Sequence, residues 1–406
     1  MRILFIHQNF PGQFPHLAPA LRQRGHDVQA LTAASNNRAA AVPVHKYRHE
    51  SGTFEFSTHG LAAHFAEQVA RGRSAGAAAA ALRDRHGYAP DIVVGHPGWG
   101  ETLFLKEVWP HAKHIMYGEF FYAPHGLDVD FDREFYKPSQ QRDFGVIARQ
   151  ASQLMALNQA DAVLSPTQWQ ASTYPAAYAD RMKVIHDGVD MSRLQITADA
   201  SVQLPGSGVT LRPGDEVVTF LGRNLEPYRG YHVFMRALPD VLAARPRAHA
   251  VIVGGDGVSY GSKAPDGKSW KQIFLDEVGA SLDMSRVHFT GQIPHGTFVN
   301  LMHITRVHAY LTYPFVLSWS MLEAMAAGAL IAGSNTPPVR EVIKHGMNGL
   351  LVDFFDIEAW SHTLIEALAN PQRFADLRAA AKQTIEANYH LRSVCLPAQI
   401  KLIESI

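Results

Sequence analysis

Short apolar runs alternate with helical segments along the chain, and this alternation restricts the fold more than any other feature of the sequence. Residues 2–7 and 27–32 are predicted strands, and residues 14–24 between them have a helical periodicity that ends at Gly25. The pattern restarts in the second half with VVTFLGR and continues through AHAVIVGG, VHFTGQI and HAYLTYP. Strands that alternate with helices favour parallel sheets. The sequence therefore predicts an α/β fold with two parallel-sheet domains.

The predicted domain limits follow from a break in this pattern. Residues 196–215 are poorly periodic and contain Pro, Gly and Ser, so they are predicted to be a linker. The N-terminal domain is then 1–195 and the C-terminal domain 216–385, and a helix within 386–406 is expected to pack back on the N-terminal domain. A long alanine-rich helix over 61–85 is expected to be interrupted near its two glycines.

The composition argues against several classes of protein. Lys plus Arg and Asp plus Glu each total 37, so the formal charge is zero, which disfavours binding that neutralises many nucleic-acid phosphates. No apolar run approaches the roughly 20 residues that span a bilayer. The single cysteine, Cys395, cannot form an intrachain disulfide. A cytoplasmic protein without nucleic-acid partners is expected, and peripheral contact with the inner membrane face stays open.

Residues 311–343 predict an anion-binding turn. A buried strand is followed by a turn with Ser318, Trp319 and Ser320, and then by a helix whose first turn is expected to carry Glu323. Backbone N–H groups at such a turn favour a phosphate, whereas the carboxylate can accept hydrogen bonds from a sugar diol. Together they suggest a nucleotide. Alternatively, Ser320 and Glu323 form a capping box, in which the glutamate only returns to the cap N–H.

Two arginines of GRNLEPYRG, at the end of a predicted strand, are candidate ligands of a diphosphate. Arg229 precedes a predicted helix N-terminus, where a cation opposes the helix dipole unless an anion lies nearby. Arg223 is expected to face the same side, and two guanidinium groups can bind a diphosphate from two sides. In the alternative interpretation both are solvated arginines, or Arg223 pairs with Glu226.

In the first half, His96 of VVGHPGWG and Glu119 of MYGEFFY each follow a predicted buried strand. Ligands of open parallel sheets bind at this edge, so each residue is a candidate base, sugar ligand or structural residue. Gly12 is alone in its loop and by itself is typical of a turn. The glycines of VIVGGDG do not match GxGxxG, and the 22 histidines show no metal-ligand spacing. Neither a dinucleotide-binding oxidoreductase nor a metal site is predicted.

Taken together, these segments resemble the family 4 retaining glycosyltransferases. The resemblance spans essentially the whole chain and is carried by MRILFIHQNFPGQFPHLAPALRQRGHDV, VIHDGVD, GRNLEPYRG, VGGDG, FTGQI, SWSMLEAMAAG and PPVREVIKHGMNGLLV. It implies the GT-B fold, in which two Rossmann-like domains face a central cleft. It further implies that Arg223 and Arg229 bind the donor diphosphate, that Gly12 allows its close approach, that Ile293 lies in the segment that reads the nucleobase, and that Glu323 holds the ribose hydroxyls.

The sequence departs from the family pattern at two positions. Phe315 stands where the first glutamate of the E-x7-E motif contacts the donor sugar, so the sugar cannot be inferred. Glu119 stands where many members have a histidine, and His96 or Glu119 is expected to take over its role toward the sugar or the acceptor.

The resemblance implies transfer of a hexosyl group from a UDP-, GDP- or ADP-sugar to a hydroxyl of a glycan, a lipid-linked or another acceptor, with retention, in polysaccharide or glycoconjugate assembly. The two arginines and the amides around Ser318 and Trp319 would stabilise the leaving diphosphate. No metal or other cofactor is expected. The alternatives are an epimerase or phosphorylase on the same fold, and a nucleotide-sugar-binding assembly subunit without turnover, which Phe315 favours.

Overall fold

The computed structural model of the chain describes residues 1–49, 60–194, 200–206 and 208–406. They form two compact units, each built on its own parallel sheet. The first unit comprises Met1–Gly188 and Arg392–Ile406, and the second comprises Val189–Leu391. The prediction of two parallel-sheet α/β domains is confirmed.

The first unit contains a parallel sheet of seven strands in the order β3-β2-β1-β4-β5-β6-β7. Its strands are β1 (Arg2–Ile6), β2 (Asp27–Ala33), β3 (Val44–Tyr47), β4 (Ile92–Gly95), β5 (Lys113–Tyr117), β6 (Ala162–Ser165) and β7 (Met182–Val184). Its α-helices before the second unit are α1 (Leu17–Gln23), α2 (Ala63–His86), α3 (Leu105–Val108), α4 (Gln140–Gln159) and α5 (Gln168–Ser172). The interior strand β1 has 0 % exposure from Ile3 to Ile6, as expected for a parallel sheet that is covered on both faces.

The second unit contains a six-stranded parallel sheet in the order β12-β11-β10-β13-β14-β15, and a separate antiparallel pair of short strands, β8 and β9. The strands are β8 (Val202–Gln203), β9 (Thr210–Leu211), β10 (Val217–Asn224), β11 (His249–Gly255), β12 (Val287–Gly291), β13 (Val307–Tyr310), β14 (Ile331–Ser334) and β15 (Leu350–Val352). The helices are α6 (Tyr231–Ala244), α7 (Trp270–Val278), α8 (His295–Ile304), α9 (Trp319–Ala326), α10 (Pro337–Val342), α11 (Ile357–Ala369) and α12 (Ala375–Asn388).

The end of the chain returns to the first unit as α13 (Leu396–Glu404). Ile403 is 2 % exposed and belongs to the same core cluster as Ile3 and Phe5 of β1. Arg24, just after α1, forms an ion pair with Glu404, with 2.8 Å between Nε and Oε1. Apolar burial and this exposed ion pair attach α13 to the first unit.

The prediction of a linker over 196–215 is wrong for the residues that the structure describes. Ala200, Val202, Leu204 and Leu211 are buried in the core of the second unit. In β8 and β9 an apolar residue alternates with a polar one, so the apolar face of this strand pair packs on the core of the second unit. Positions 196–199 and 207 lie outside the described residues.

The predicted interruption of the alanine-rich helix is also wrong, because α2 is continuous from Ala63 to His86. A Cβ atom at Gly72 would lie 2.6 Å from the carbonyl oxygen of Gly100. The glycine therefore permits close packing of the helix against the turn after β4, and does not break it. Among the described helices, none has the length and apolar character needed to cross a bilayer.

Candidate active site

The strand order of each sheet reverses at one place, and most of the predicted ligand-binding residues lie there. In open parallel sheets, ligands bind beyond the carboxyl ends of the strands at this reversal. It falls between β1 and β4 in the first unit, and between β10 and β13 in the second. His96 directly follows β4, and Arg229 follows β10. We call the residues at these places the first-unit site and the second-unit site, and describe each by itself.

Arg229 is the buried cation of the second-unit site, with 7 % exposure. Its Nη1 donates to Thr312 Oγ1 at 2.7 Å and to the carbonyl oxygen of Val316 at 3.1 Å. The guanidinium carbon lies 4.9 Å from the centroid of the Tyr260 ring. None of the described carboxylates forms an ion pair with it. A buried guanidinium that has hydroxyl, carbonyl and aromatic neighbours but no carboxylate is suited to bind an anion.

A glycine brings this arginine against the chain after β13. Gly230 has φ +69°, and a Cβ atom there would lie 2.3 Å from the Cβ of Leu311. No other residue fits such a position without displacing its neighbour. The turn that carries Arg229 and the segment that carries Thr312 are in contact for this reason.

Arg223 is exposed at the end of β10 and makes no side-chain hydrogen bond or ion pair with a described residue. Its alternative pairing with Glu226 is wrong. Glu226 is 0 % exposed and accepts hydrogen bonds from the backbone N–H groups of Ser259, Tyr260 and Gly261, at 3.1, 3.3 and 3.0 Å. Arg223 therefore presents an uncommitted positive charge.

Phe315 is 3 % exposed and packs in a cluster of aromatic rings. Its ring centroid lies 5.2 Å from that of Tyr228 and 5.1 Å from that of Tyr260, and the Tyr228 ring lies 4.7 Å from that of Tyr313. The position that holds a carboxylate in the E-x7-E pattern is thus apolar here and lies beside Arg229, at 6.0 Å from its guanidinium carbon.

The capping-box interpretation of Glu323 is wrong, and so is its placement in the first helical turn. Helix α9 begins at Trp319, and Ser318 is its N-cap, whose Oγ accepts from the N–H of Ser320 at 3.3 Å. Glu323 is the fifth residue of α9, one turn further on. Its Oε1 lies 3.1 Å from Nε2 of His295, and its side chain is 27 % exposed. One carboxylate oxygen is therefore fixed while the group stays accessible.

The segment after β12 lies beside this carboxylate. Ile293 is half-buried against the core of the second unit, and His295 begins α8 two residues later. The contact between His295 and Glu323 thus joins the segment expected to read a nucleobase with the carboxylate expected to bind ribose. The structure brings these two predicted elements together.

In the first-unit site, His96 and Glu119 are neighbours. His96 is 5 % exposed, and its Nδ1 accepts from the N–H of Gly98 at 3.0 Å, so a neutral ring carries its proton on Nε2. That nitrogen lies 3.4 Å from Oε2 of Glu119, whose side chain is 41 % exposed. The His96 ring stacks on Trp99, with 4.4 Å between centroids. Histidine and carboxylate form one group, in which the glutamate is the member open to solvent.

His7 directly follows β1 and is a residue of this site that the sequence did not single out. It is 4 % exposed. Burial, followed by the nearby His96, lowers its pKa to about 3, so the ring is uncharged at neutral pH. A Cβ atom at Gly12, which has φ +52°, would lie 2.6 Å from Nε2 of His7. The lack of a side chain at Gly12 therefore lets its loop lie on the imidazole.

Asp187 of the VIHDGVD segment also reaches the first-unit site. Its Oδ2 accepts a hydrogen bond from the hydroxyl of Tyr117, at 2.8 Å. Burial, together with the charges of Asp187 and Glu119, raises the pKa of Tyr117 well above its usual value, so the phenol stays protonated. Tyr117 also stacks on His96, with 5.6 Å between centroids, and the tyrosine links the aspartate to the histidine.

Solved structures of low sequence identity share the fold of the chain. HepE of Anabaena, solved in complex with UDP and glucose, matches with a TM-score of 0.67 at 17 % identity over 100 % of both chains. Sucrose-phosphate synthase of Thermosynechococcus elongatus matches with a TM-score of 0.71 at 18 % identity, over 100 % of this chain and 98 % of the other. These similarities define the class of protein by fold: the chain has the GT-B architecture of glycosyltransferases.

Comparison with family models then assigns the sequence to a family. The model described as "Glycosyl transferase family 4 group" matches residues 24–194, and the model described as "Glycosyl transferases group 1" matches residues 208–384. The chain belongs to the family 4 glycosyltransferases, as the resemblance of its motifs implied.

The curated relatives match only in part. A D-inositol 3-phosphate glycosyltransferase of Mycobacterium sp. (strain JLS) is 26 % identical over 239 residues, which is 57 % of this chain and 50 % of the relative. A Nocardioides protein of the same name is 27 % identical over 244 residues, or 57 % of this chain and 51 % of that protein. The match thus spans about half the length of these relatives.

Proposed function

We propose that the protein transfers a hexosyl group from a nucleotide-diphosphate sugar to an acceptor hydroxyl, with retention of the anomeric configuration. The observation that carries the proposal is Arg229, a buried guanidinium at the strand-order reversal without a described carboxylate partner. Such a group is costly to bury in the absence of an anion. The diphosphate of a sugar-nucleotide donor is the anion that best explains this site in a chain of this family.

The two arginines have different tasks in this mechanism. Arg229 is fixed by Thr312 and Val316, so its charge is oriented before the substrate binds and no reorganisation is needed as negative charge develops on the leaving diphosphate. Arg223 is exposed and adds attraction from the solvent side. The amides expected to bind a phosphate at the start of α9 are already used: the N–H of Ser318 donates to the hydroxyl of Tyr310 at 2.8 Å, and that of Ser320 to Oγ of Ser318 at 3.3 Å. The positive end of the helix dipole of α9 then adds attraction for the phosphate.

Retention requires no enzyme nucleophile in this proposal. The acceptor hydroxyl attacks from the face that the diphosphate leaves, and a leaving phosphate oxygen takes its proton. His96 and Glu119 bind the sugar or the acceptor at the first-unit site. The reaction needs no metal, because the fixed guanidinium groups provide the positive charge that a metal would otherwise supply.

The first donor to test is a UDP-sugar, since HepE was solved with UDP-glucose and GDP- and ADP-sugars are the alternatives. Glu323 and the segment of Ile293 bind the ribose and the base. The acceptor is a hydroxyl of a glycan, a lipid-linked or another glycoconjugate. Polysaccharide or glycoconjugate assembly is the expected context, and peripheral contact with the inner membrane face is compatible with it.

One observation favours a second candidate, a nucleotide-sugar-binding subunit without turnover. Phe315 replaces the carboxylate of the E-x7-E motif and is buried among aromatic rings. A protein of this kind would bind the donor and transfer no sugar to any member of an acceptor panel. An epimerase or phosphorylase on this fold would instead convert the donor without an acceptor, or use phosphate.

Substitution of Arg229 tests the proposal. Arg229→Met removes the charge at similar size, and we expect a loss of transfer of at least a hundredfold, since one preorganised charge contact contributes roughly 2.7–4 kcal/mol to the transition state. Arg229→Lys keeps a cation and should retain part of the activity. Product analysis by NMR gives both the rate and the anomeric configuration.

Two results would contradict the proposal. Transfer by Arg229→Met at a rate near that of the wild type would remove Arg229 from the site, and an inverted product would remove the retaining mechanism. Circular dichroism of both variants separates loss of the fold from loss of the site.

A further inference from the structure

One buried carboxylate binds three successive backbone N–H groups of the loop between β11 and α7. Glu226, in the turn between β10 and α6, accepts three hydrogen bonds from successive backbone N–H groups, those of Ser259, Tyr260 and Gly261, at 3.0–3.3 Å. It is 0 % exposed. We call this arrangement the Glu226 clamp. Removing it leaves three half-buried N–H donors without this acceptor, so the clamp helps to determine the path of the loop.

A second contact fixes the same two segments. Nδ2 of Asn224 donates to Oγ of Ser259 at 2.7 Å. A Cβ atom at Gly257 would lie 3.2 Å from Oδ1 of Asn224, so the glycine of the loop lets the asparagine approach. The end of β10 and the turn that follows it, which carry Arg223 and Arg229, are therefore attached to the loop of Tyr260 by the side chains of Asn224 and Glu226.

The clamp places Tyr260 on the guanidinium of Arg229. The guanidinium carbon is 4.9 Å from the ring centroid, a cation–π distance. On its other sides the ring meets Phe315 at 5.1 Å and Tyr228 at 6.0 Å between centroids. Three neighbouring side chains and the hydrogen bonds of Glu226 to the backbone thus fix an aromatic ring beside the buried cation.

This tyrosine has features that packing alone does not require. It is 40 % exposed, although it lies beside a buried arginine. Its hydroxyl makes no hydrogen bond with any residue that the structure describes. Arg229 meanwhile uses Nη1 for Thr312 and Val316, and its other two nitrogens have no partner among the described residues. An accessible tyrosine ring therefore lies in contact with a guanidinium that has N–H groups to spare.

We propose that Tyr260, held by the Glu226 clamp, binds the donor diphosphate together with Arg229, through a hydrogen bond from its hydroxyl to a phosphate oxygen. The inference rests on the proposed function and adds a residue to it. Glu226 is a positioning residue, because it acts on the ligand only through the loop of Tyr260. The phosphate is favoured over a sugar hydroxyl because the ring lies on the guanidinium that the anion needs.

Tyr260→Phe tests the hydroxyl and keeps the ring on Arg229. Calorimetry measures binding of UDP, GDP and ADP and of their glucose derivatives to the wild type, and the pair that binds is then used with the variant. We expect the affinity for the nucleoside diphosphate and for its sugar derivative to fall equally, by roughly ten- to a hundredfold, as for a hydrogen bond to a charged group. Tyr178→Phe, which removes a hydroxyl bonded to Asn158 in the first unit, should bind as the wild type does.

The outcomes separate the inference from the proposed function. Unchanged affinity in Tyr260→Phe would overturn the inference and leave the proposed function standing. A loss confined to the sugar derivative would overturn the assignment to the diphosphate. A wild-type protein that binds none of the six compounds would contradict the proposed function itself.

Glu226→Gln tests the clamp, since the amide group places an N–H₂ where a backbone N–H group needs an acceptor. We expect weaker diphosphate binding by the folded protein, and we expect the double variant Glu226→Gln/Tyr260→Phe to bind about as weakly as the weaker single variant. Additive losses would show that Glu226 does not act through Tyr260. A lower melting temperature with unchanged affinity would reduce Glu226 to a purely structural residue.

Discussion

At the residue scale, the second-unit site is dominated by the surroundings of Arg229. Most buried guanidinium groups pair with a carboxylate, because an unpaired charge is costly to bury. Here the nearby carboxylate, Glu226, is used by three backbone N–H groups instead. The guanidinium of Arg229 instead contacts a hydroxyl, a carbonyl and aromatic rings, which fix its orientation without neutralising its charge. This is how a preorganised anion site is built.

Buried histidines predict how stability depends on pH. His308 of β13 is 0 % exposed, and burial lowers its pKa to about 4 from 6.5. Between these values the unfolded chain binds a proton that the folded chain does not, so stability decreases as pH falls from 6.5 to 4, by up to about 3 kcal/mol for this residue. His308→Asn should flatten this slope, as measured by denaturant unfolding at several pH values.

The exposed His362 of α11 provides the control, as His362→Asn. The histidines His7, His114 and His186, whose pKa values burial lowers to about 3, 4 and 4, contribute with the same sign and remain in the variant. A slope in His308→Asn identical to that of the wild type would show that His308 binds a proton equally in the folded and unfolded chain, and would contradict the lowered pKa.

At the element scale, two glycine turns bring the functional segments together. Gly12 places the loop after β1 on His7, and Gly230 places the turn after β10 on Leu311. Both have positive φ, and at both a Cβ atom would lie closer than 3 Å to a neighbouring side chain. Glycine is therefore needed at these two positions for close contact with His7 and Leu311, as well as for the positive φ.

Gly12→Ala and Gly25→Ala form a matched pair that tests this role. Both positions have positive φ, +52° and +90°, but a Cβ atom at Gly25 meets nothing within 4 Å. Each variant carries the backbone strain of roughly 1–2 kcal/mol. Only Gly12→Ala also displaces His7, so we expect transfer activity to fall at least tenfold in Gly12→Ala and to persist in Gly25→Ala. Equal activities in a transfer assay would show that the approach to His7 is not needed.

Several element-level features could be predicted from the sequence, and others could not. The strands of both parallel sheets could be recognised in the sequence, because burial on both faces makes them continuously apolar. The capping box was misplaced because α9 begins at Trp319, and only the backbone geometry of Ser318 determines that start. The hydrogen bonds of Glu226 join residues more than 30 positions apart in the sequence, and no local sequence pattern predicts such a contact.

At the scale of the whole molecule, each unit has its own core and its own reversal of strand order. The sequence indicated both sheets, and the motif resemblance indicated the family. It did not indicate that the described part of 200–215 packs on the second unit, because four buried apolar residues there are dispersed among turn residues. His7 was missed for a related reason: it is one of 22 histidines, and only the folded structure shows that it lies beside His96.

The proposed mechanism makes the reaction independent of metal. In this mechanism the positive charge that stabilises the leaving diphosphate comes from guanidinium groups, so we expect transfer in excess EDTA to equal transfer without it. A colorimetric assay of released nucleoside diphosphate, run with and without the chelator, measures this. A large loss that magnesium or manganese restores would contradict the assignment of the charge to Arg223 and Arg229.

The central claim is that Arg223 and Arg229 bind the diphosphate of a sugar nucleotide, and thermal-shift titration tests it most directly. UDP-, GDP- and ADP-glucose are titrated into the wild type, Arg223→Ala, Arg229→Met and the control Arg247→Ala, whose side chain is 86 % exposed. One donor should stabilise the wild type and the control, by about 2.7 kcal/mol at a hundred times Kd, and stabilise the two site variants far less. Equal stabilisation of all four proteins would contradict the claim.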